Sequence, residues 1–294
     1  MGAPATARVT LPRGLWLADE RYQEARLRPV TEDDESFLVD TAHSLPPARR
    51  ATELLARCVV ALGPKGTDRR TAVQTLAIGD REALLLQLRR VTLGDRIEAV
   101  VACPAVGCGT LLDATLQVGD LLVPTPVGAT DSEVYEREVV MADVAYRVRF
   151  RLPNGADLDA VAELATHHPE AAALAILQRC LVRVELRDDG STAAELPPGA
   201  WREMSTPIGE LDPQAEIELD MVCPACGLRF GAILDAGSYL LREVDARVER
   251  RFRDIHTLAL HYHWSERDIR EMPEEHRERY LQLLAESLAG ATRR

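Results

Sequence analysis

The sequence predicts an α+β protein in which two related helix–strand–cysteine units share one zinc-ribbon-like site, followed by a C-terminal helical bundle. Three observations favour this fold class: helical and strand-like patterns alternate, a stretch containing a cysteine pair occurs twice, and the end of the chain has only helical periodicity. We divide the chain into an N-terminal arm (1–47), a first helix and zinc-knuckle unit (48–130), a strand-rich segment with the second unit (131–237) and a three-helix tail (238–294).

The composition indicates a soluble protein without a large basic surface. Of its 294 residues, 46% are hydrophobic, which is enough for a buried core, and the formal net charge is −12. This charge disfavours general binding to nucleic acid or to an anionic membrane, because both need a concentrated basic surface. The sequence lacks an apolar run of the roughly 18 residues that span a bilayer, and Met1–Arg13 lacks a signal peptide. We therefore expect a cytoplasmic location, where the six cysteines are reduced, buried or bound to metal.

The first unit is expected to contain two helices and a strand. Apolar side chains at helical spacing predict a helix over residues 48–62, with its end at Gly63. A second helix is expected from Asp80, a residue type that favours helix N-termini. A short strand over residues 97–101 then leads to Cys103.

The second unit opens with the clearest strand pattern in the sequence. Apolar residues alternate with arginines over residues 144–152, which is typical of a strand with one solvent-exposed face. Helices are expected near 158–166 and 170–183, and a strand over 217–222 leads to Cys223.

The tail is expected to form three helices. An apolar stripe from Leu241 to Leu258 predicts the first, Ser265 with Asp268 fits a capping box that opens the second, and Pro273 opens the third.

Two pairs of segments in the chain resemble each other in register. Ile97–Ala105 matches Ile217–Ala225, and each segment is followed by Cys-Gly and then by Leu-Asp-Ala. Upstream, Leu55–Val60 matches Leu177–Val182. The distances from the upstream cysteine to the first knuckle cysteine are similar, 103 − 58 = 45 and 223 − 180 = 43. These matches indicate a duplicated helix–strand–knuckle unit.

Four cysteines have the spacing of metal ligands. Two residues separate Cys223 from Cys226 and four separate Cys103 from Cys108, and either spacing lets two thiolates reach one tetrahedral zinc ion. Because the pairs are related by duplication, we predict that all four bind one zinc ion and close a loop of 114 residues (223 − 108 − 1). Buried free thiols, a disulfide and separate sites are the alternatives. Four thiolates leave no position for water, so the zinc would be structural.

The other reactive side chains have structural interpretations. Cys58 and Cys180 are expected within helices among apolar neighbours, where a buried cysteine behaves as a small hydrophobe. The sequence contains no glycine-rich phosphate loop, no nucleophile elbow and no His-Glu-x-x-His motif. Together with a closed metal site, this favours a protein that is not an enzyme.

A histidine and aromatic cluster near the end of a helix is a candidate partner-binding surface. It consists of His261, Tyr262, His263 and Trp264. Four consecutive helical residues face all round the axis, so one core is not expected to bury them all, and tyrosine and tryptophan are common interface anchors. The alternative is that the tail buries every ring by itself.

Several of these motifs together resemble the T4-type baseplate hub family of contractile phage tails and extracellular contractile injection systems. The resemblance spans roughly residues 27–285 and includes the two Cys-Pro knuckles. Its other motifs are Leu27–Thr31, Ile78–Leu84, Leu93–Arg96 and Ile255–Glu266. The four-residue spacing of Cys103 and Cys108 departs from the usual two.

The resemblance implies a non-enzymatic baseplate component or assembly factor whose partners are other baseplate, hub or tail proteins. A zinc-ribbon adaptor acting near nucleic acid is the alternative, and the acidic charge argues against it. A metal-dependent hydrolase is a third possibility, which would need an open coordination position on the zinc.

Overall fold

A computed structural model describes residues 6–124, 132–141, 143–187, 191–192, 196–197 and 200–291. It is a mixed α+β structure with small antiparallel sheets and helices at the C-terminus. Contacts divide the chain into two compact units, Met1–Leu241 and Arg242–Arg294. Among the described residues, no helix has the length and apolar character needed to cross a membrane.

The larger unit begins with a three-stranded antiparallel sheet in the order β1-β2-β3, followed by a two-stranded hairpin, β4-β5. Its strands are β1 (Ala7–Leu17), β2 (Glu20–Leu27), β3 (Val59–Leu62), β4 (Arg96–Ala102) and β5 (Leu111–Gln117). Its helices are α1 (Glu32–Asp40), α2 (Pro47–Cys58), α3 (Arg69–Thr75), α4 (Ile78–Leu93) and α5 (Val118–Leu121).

The same order of strands, a three-stranded sheet followed by a hairpin, then occurs a second time within this unit. Another three-stranded sheet has the order β6-β7-β8, and another hairpin consists of β9 and β10. Its strands are β6 (Val134–Met141), β7 (Val144–Arg151), β8 (Leu181–Leu186), β9 (Ile217–Val222) and β10 (Arg229–Leu234). Its helices are α6 (Gly155–His167), α7 (Pro169–Cys180) and α8 (Ala200–Leu211), with a 3-10 turn at Pro213–Ala215.

The two sheets also agree in register. In the first, Leu27 pairs with Val59 just after an irregularity that follows Arg26. In the second, Phe150 pairs with Leu181 just after an irregularity that follows Arg149. Phe150 lies 123 positions after Leu27 (150 − 27 = 123) and Leu181 lies 122 after Val59 (181 − 59 = 122), so both pairs occupy matching places.

Two sequence predictions of helix ends were wrong in the same way. Residues 59–62 and 181–183 were expected to be helical, but α2 ends at Cys58, α7 ends at Cys180, and a strand begins at the next residue. The apolar side chains of these strands fit the helical stripe as well as a sheet face. Pairing with β2 and β7 decides the outcome, because it satisfies the backbone groups that a longer helix would have used.

The N-terminal arm predicted over 1–47 contains α1 and also β1 and β2, two strands that its weak periodicity did not reveal. The two strands are joined at Ala18 and Asp19, which have φ of 50° and 63°. Tight hairpin turns of this kind are usually marked by Asn-Gly or Asp-Gly. Their absence here explains why the strands were missed.

In each repeat a buried carboxylate at the start of one helix bonds to an arginine beside a strand and to an arginine at the end of the next helix. Asp34 is fully buried and accepts hydrogen bonds from the guanidinium groups of Arg28 and Arg57. Arg28 also donates to the carbonyl of Arg57 at the end of α2, at 2.9 Å. Burial alone would raise the pKa of Asp34, but the bonds from Arg28 and Thr31 hold it well below its usual value.

The second repeat contains the same network 122 to 123 positions later (157 − 34 = 123; 179 − 57 = 122). Asp157 is fully buried and accepts hydrogen bonds from Arg151 and Arg179 at 2.9 Å each. Arg151 donates to the carbonyl of Arg179 at 3.1 Å. Capping boxes agree as well, with Thr31 preceding Asp34 and Asn154 preceding Asp157. Arg151 was expected on a solvent-exposed face, but it is half-buried where it meets Asp157 and the end of α7.

The smaller unit consists of the end of α9 (Ala236–Tyr262) with α10 (Glu266–Glu271) and α11 (Glu274–Ala291). The three helices expected for the tail are therefore present. Ser265 caps α10 by accepting the N–H of Asp268, as predicted. The core of this unit is built from Ile255, Leu258 and Ile269.

Candidate metal centre

Two β-hairpins present the four cysteines singled out in the sequence. Cys103 follows β4 and Cys108 precedes β5, while Cys223 follows β9 and Cys226 precedes β10. Each hairpin is closed beside its first cysteine by a backbone bond, from Cys103 N–H to the Thr110 carbonyl and from Cys223 N–H to the Leu228 carbonyl, both at 2.9 Å.

The glycine after each second cysteine has a backbone conformation that other residues rarely adopt. Gly109 has φ of 57° and Gly227 has φ of 72°. A Cβ atom at either position would meet nothing within 4 Å. The left-handed backbone, and not a lack of space, therefore accounts for glycine at this turn.

The four sulfur atoms come together between the hairpins. Sγ of Cys103 lies 3.7 Å from Sγ of Cys226, and Sγ of Cys108 lies 3.7 Å from Sγ of Cys223. All four lie within 4.8 Å of one another. A tetrahedral zinc ion with Zn–S bonds of about 2.3 Å needs sulfurs about 3.8 Å apart. The set therefore fits a single metal ion.

The same distances exclude disulfide bonds. A disulfide needs sulfurs about 2.05 Å apart, and all four cysteines are free. Within the part of the chain that the structure describes, no other group of three or more His, Cys, Asp or Glu side chains has a metal-binding arrangement.

Hydrogen bonds to sulfur favour thiolates at two of the positions. The Thr110 hydroxyl lies 3.3 Å from Sγ of Cys108 and, with the Thr110 backbone, lowers the pKa of that thiol to about 6. The backbone N–H of Cys226, followed by that of Ala225, lowers the pKa of the Cys223 thiol. Thiolates are the form that binds metal.

The cluster is partly shielded from solvent. Cys103 and Cys223 are buried, Cys108 is half-buried and Cys226 is exposed. Leu112, Met221 and Phe230 pack beside it. Four converging sulfurs would fill a tetrahedral coordination shell, so the arrangement resembles a closed structural site and not an open catalytic one.

The family of the chain follows from a comparison that covers both hairpins. The sequence model of the T4 bacteriophage base plate protein family matches residues 18–230, which include all four cysteines and both buried Asp networks. The chain belongs to this family. No curated protein and no solved structure matches it. The predicted resemblance is confirmed over residues 18–230, whereas the motif at Ile255–Glu266 lies outside the matched range.

In this baseplate-family chain the two remaining cysteines are buried, as predicted, but they are not surrounded by apolar groups alone. Sγ of Cys58 lies 3.9 Å from Arg28 and 4.0 Å from Asp34, and Sγ of Cys180 lies 3.9 Å from Arg151. Burial, followed by the neighbouring aspartate, raises the pKa of both thiols to about 12. These cysteines therefore stay protonated at neutral pH, unlike thiolates that bind a metal ion.

Two of the predicted partner-binding residues, Tyr262 and Trp264, form a ring cluster in the smaller unit. The expectation of four consecutive helical residues was wrong, because α9 ends at Tyr262 and His263 has a left-handed backbone with φ of 59°. Tyr262 stacks on Trp264 with ring centroids 4.7 Å apart. Tyr280, which sequence reasoning missed, lies edge-on to Trp264 at 4.8 Å. Tyr262 and Trp264 are half-buried, whereas His261 and His263 are exposed. Tyr280 lies on α11, and its helical spacing gave no signal that it would join the cluster.

Proposed function

We propose that this chain is a non-enzymatic structural component, or an assembly factor, of the baseplate of a phage-like contractile tail or injection system. The family match over residues 18–230 carries the proposal. The closed four-cysteine cluster supports it, because such a cluster offers no open coordination position to a substrate. Its partners are then other baseplate, hub or tail proteins, met in the cytoplasm where the particle is assembled.

This role is tested in the organism that encodes the chain. In a strain that lacks it, electron microscopy is expected to show tubes or sheaths without complete baseplates, and the wild-type gene should restore them. Mass spectrometry of purified wild-type particles separates the two forms of the proposal, since a component stays in the particle and an assembly factor does not. Complete baseplates in the deletion strain would refute both.

We further propose that Cys103, Cys108, Cys223 and Cys226 together bind one structural Zn²⁺ ion. The support is the set of sulfur separations, which match those of a tetrahedral site. Soft thiolate ligands in this geometry favour zinc, or iron in some proteins, over hard cations such as Mg²⁺. The ion joins two hairpins that are far apart in sequence, so it closes a long loop.

Elemental analysis of protein purified without chelator is expected to give one zinc per chain. Replacement by Co²⁺ should produce the intense absorption of tetrahedral cobalt thiolate. Cys58→Ser serves as the matched control, because it changes a buried thiol outside the cluster and should keep its zinc. A protein without zinc, or with two zinc ions per chain, contradicts a single shared site.

We infer that the two hairpin units arose by duplication of one helix–strand–knuckle unit. The matching sheet registers, the two capping boxes and the two Arg–Asp–Arg networks support this inference. The shared metal would then lie where the two copies meet. A family member with only one such unit, able to dimerise around one zinc ion, would be the strongest test.

We also propose that the rings around Trp264 contact another baseplate or tail protein. Tyr262 and Trp264 are only half-buried although they stack on each other, which supports an exposed aromatic edge. Trp264→Ala is expected to block assembly while the melting temperature changes by only a few degrees. Phe252→Ala, an exposed aromatic of the same unit, is the control. Outright unfolding of Trp264→Ala, or normal assembly, would show that this surface is not where the protein meets its partner.

A further inference from the structure

The larger unit contains a cavity of about 310 Å³ beside the second hairpin. Its lining includes the aliphatic side chains of Ile78, Leu85, Leu158 and Ile233. Ile233 is 59% exposed, so the cavity is accessible from solvent. A cavity of this size lies at the lower end of the range for small-molecule sites, which are mostly apolar with a few polar groups.

Glu82 lines the cavity, and only one of its two carboxylate oxygens accepts a hydrogen bond from a described residue. Oε2 of Glu82 accepts the backbone N–H of Ala236 at 3.0 Å. Its second oxygen, Oε1, makes no hydrogen bond among the described residues. Asp235, which also lines the cavity, is exposed. Burial, followed by repulsion from Asp235, raises the pKa of Glu82 to about 7.

Glu82 differs in this respect from the two buried aspartates of the Arg networks. Each of those carboxylates accepts bonds from two arginine side chains. No cationic side chain of the described residues forms an ion pair with Glu82. The adjacent Arg81 also lines the cavity, and its charge acts to lower the pKa of Glu82. Its hydrogen bonds go instead to the Val73 carbonyl and to the Thr52 hydroxyl, at 2.8 Å each. Glu82 is half-buried and forms no direct ion pair with a described residue, so a cation supplied from outside would stabilise its charge further.

We propose that this cavity receives the cationic side chain of a lysine or arginine from a partner protein. The aliphatic stem of that side chain lies against Ile78, Leu85 and Leu158, and its ammonium or guanidinium group faces Glu82 and Asp235. Lysine and arginine suit such a site because both carry a charged group on an apolar stem. The proposal is independent of the metal cluster and of the family assignment, so its failure would leave both unchanged.

The probe is n-pentylammonium, which carries the charged group of a lysine side chain on an aliphatic stem. It is titrated into the full, zinc-loaded chain at pH 8, where Glu82 is ionised, and binding is followed by NMR and by the rise in melting temperature. 1-Pentanol is the neutral control of similar shape, at matched ionic strength. We expect pentylammonium to bind at least tenfold more tightly than pentanol, or about 1.4 kcal/mol.

Two variants make the outcome specific to the cavity. Glu82→Gln keeps an oxygen acceptor for Ala236 but removes the charge, and it should weaken pentylammonium binding about tenfold. Asp113→Asn, which changes an exposed carboxylate of β5 outside the cavity lining, should leave it unchanged. Ala48→Leu fills part of the cavity without changing a carboxylate and should also block binding. This variant tests the proposal if Glu82→Gln does not fold.

Three results would overturn the proposal. Equal binding of pentanol and pentylammonium would show an apolar cavity without a cation site. Undiminished binding to Glu82→Gln or to Ala48→Leu would place the ammonium elsewhere on the acidic surface. Absence of binding by either compound would show that the cavity does not admit an alkyl chain.

Discussion

The two repeats of the larger unit keep the same polar network but differ in the burial of the helix beside it. In the first repeat, Leu54 and Leu55 on α2 are completely buried. At the matching positions of α7, Ile176 and Leu177 are only partly buried. Residues of α6 and α3 contact α2, and Thr52 bonds to Asp159 of α6 at 3.0 Å. The residue of α7 that matches Thr52 is Leu174, and it is 38% exposed.

This difference separates two contributions to the fold. The Arg–Asp–Arg network fixes how a strand, a helix start and a helix end meet within one repeat, and it is complete in both. The apolar surroundings of the second helix depend on what the rest of the chain packs against it. Breaking the shared features should therefore affect the two repeats alike, whereas truncating the apolar positions should not.

The largest effect is expected from removing a ligand of the proposed shared metal. Cys103→Ser and Cys223→Ser each remove one of four thiolates, and metal-binding energy in such a site is also folding energy. We expect both variants to lose zinc and to unfold at much lower temperature, to a similar extent. Cys58→Ser is the control and should cost on the order of 1–3 kcal/mol. Thermal shifts as small as that of Cys58→Ser would contradict the shared site.

The second effect concerns the buried aspartates. Asp34→Ala and Asp157→Ala each leave two arginines without their carboxylate partner and the helix N-terminus without its capping box. Breaking a fully buried pair costs about 3–5 kcal/mol, but these arginines are partly exposed. We expect about 2–3 kcal/mol of lost unfolding free energy for each, measured by urea denaturation of zinc-loaded protein. A large difference between the two variants would show that the networks are not equivalent.

The parts of this fold that depend on a local sequence pattern could be predicted from the sequence. Alternation over 144–152, the stripe in the tail and the paired cysteine spacings all predicted features that the structure contains. Each of these signals depends on neighbours close in sequence. The four cysteines needed one further step, because only their repetition indicated that two distant pairs meet.

Features that depend on distant partners were not predictable in this way. Asp34 meets Arg57 across 23 residues, and nothing in the acidic cluster at 32–35 marks it as the buried member. The ends of α2 and α7 depend on pairing with strands elsewhere in the chain. The cavity beside Glu82 likewise combines side chains from several elements. The spacing of their apolar residues predicts that these side chains are buried, but it does not predict a cavity between them.

The third effect tests the difference between the repeats directly. Leu54→Ala removes a completely buried side chain and should cost about 2–5 kcal/mol, as is usual for such truncations. Ile176→Ala changes the matching, partly buried position and should cost about 1 kcal/mol, since less apolar surface is returned to water. Both are measured by the same urea titration. Equal costs would mean that α7 is as well packed as α2.

The smallest effect is a dependence of stability on pH at a contact between the repeats. Asp80 of α4 is fully buried, with Oδ1 accepting the N–H of Arg13 at 2.8 Å, and Asp212 of the second repeat accepts the N–H of Gly79 at 2.8 Å. Burial, with Asp212 adding to it, raises the pKa of Asp80 to about 7, and burial also raises that of Asp212. An unfolded aspartate has a pKa of about 3.9.

The folded state therefore holds more protons than the unfolded state between about pH 4 and 7, so stability falls as pH rises through this range. We expect the melting temperature of zinc-loaded protein to drop by a few degrees between pH 6 and 8. Asp80→Asn keeps an acceptor for Arg13 and should reduce this slope. Glu82, whose pKa is also raised to about 7, contributes in the same direction and leaves a residual slope. If the pH dependence of the melting temperature is unchanged in Asp80→Asn, Asp80 does not contribute to it. The pKa of Asp80 would then be the same in the folded and unfolded states.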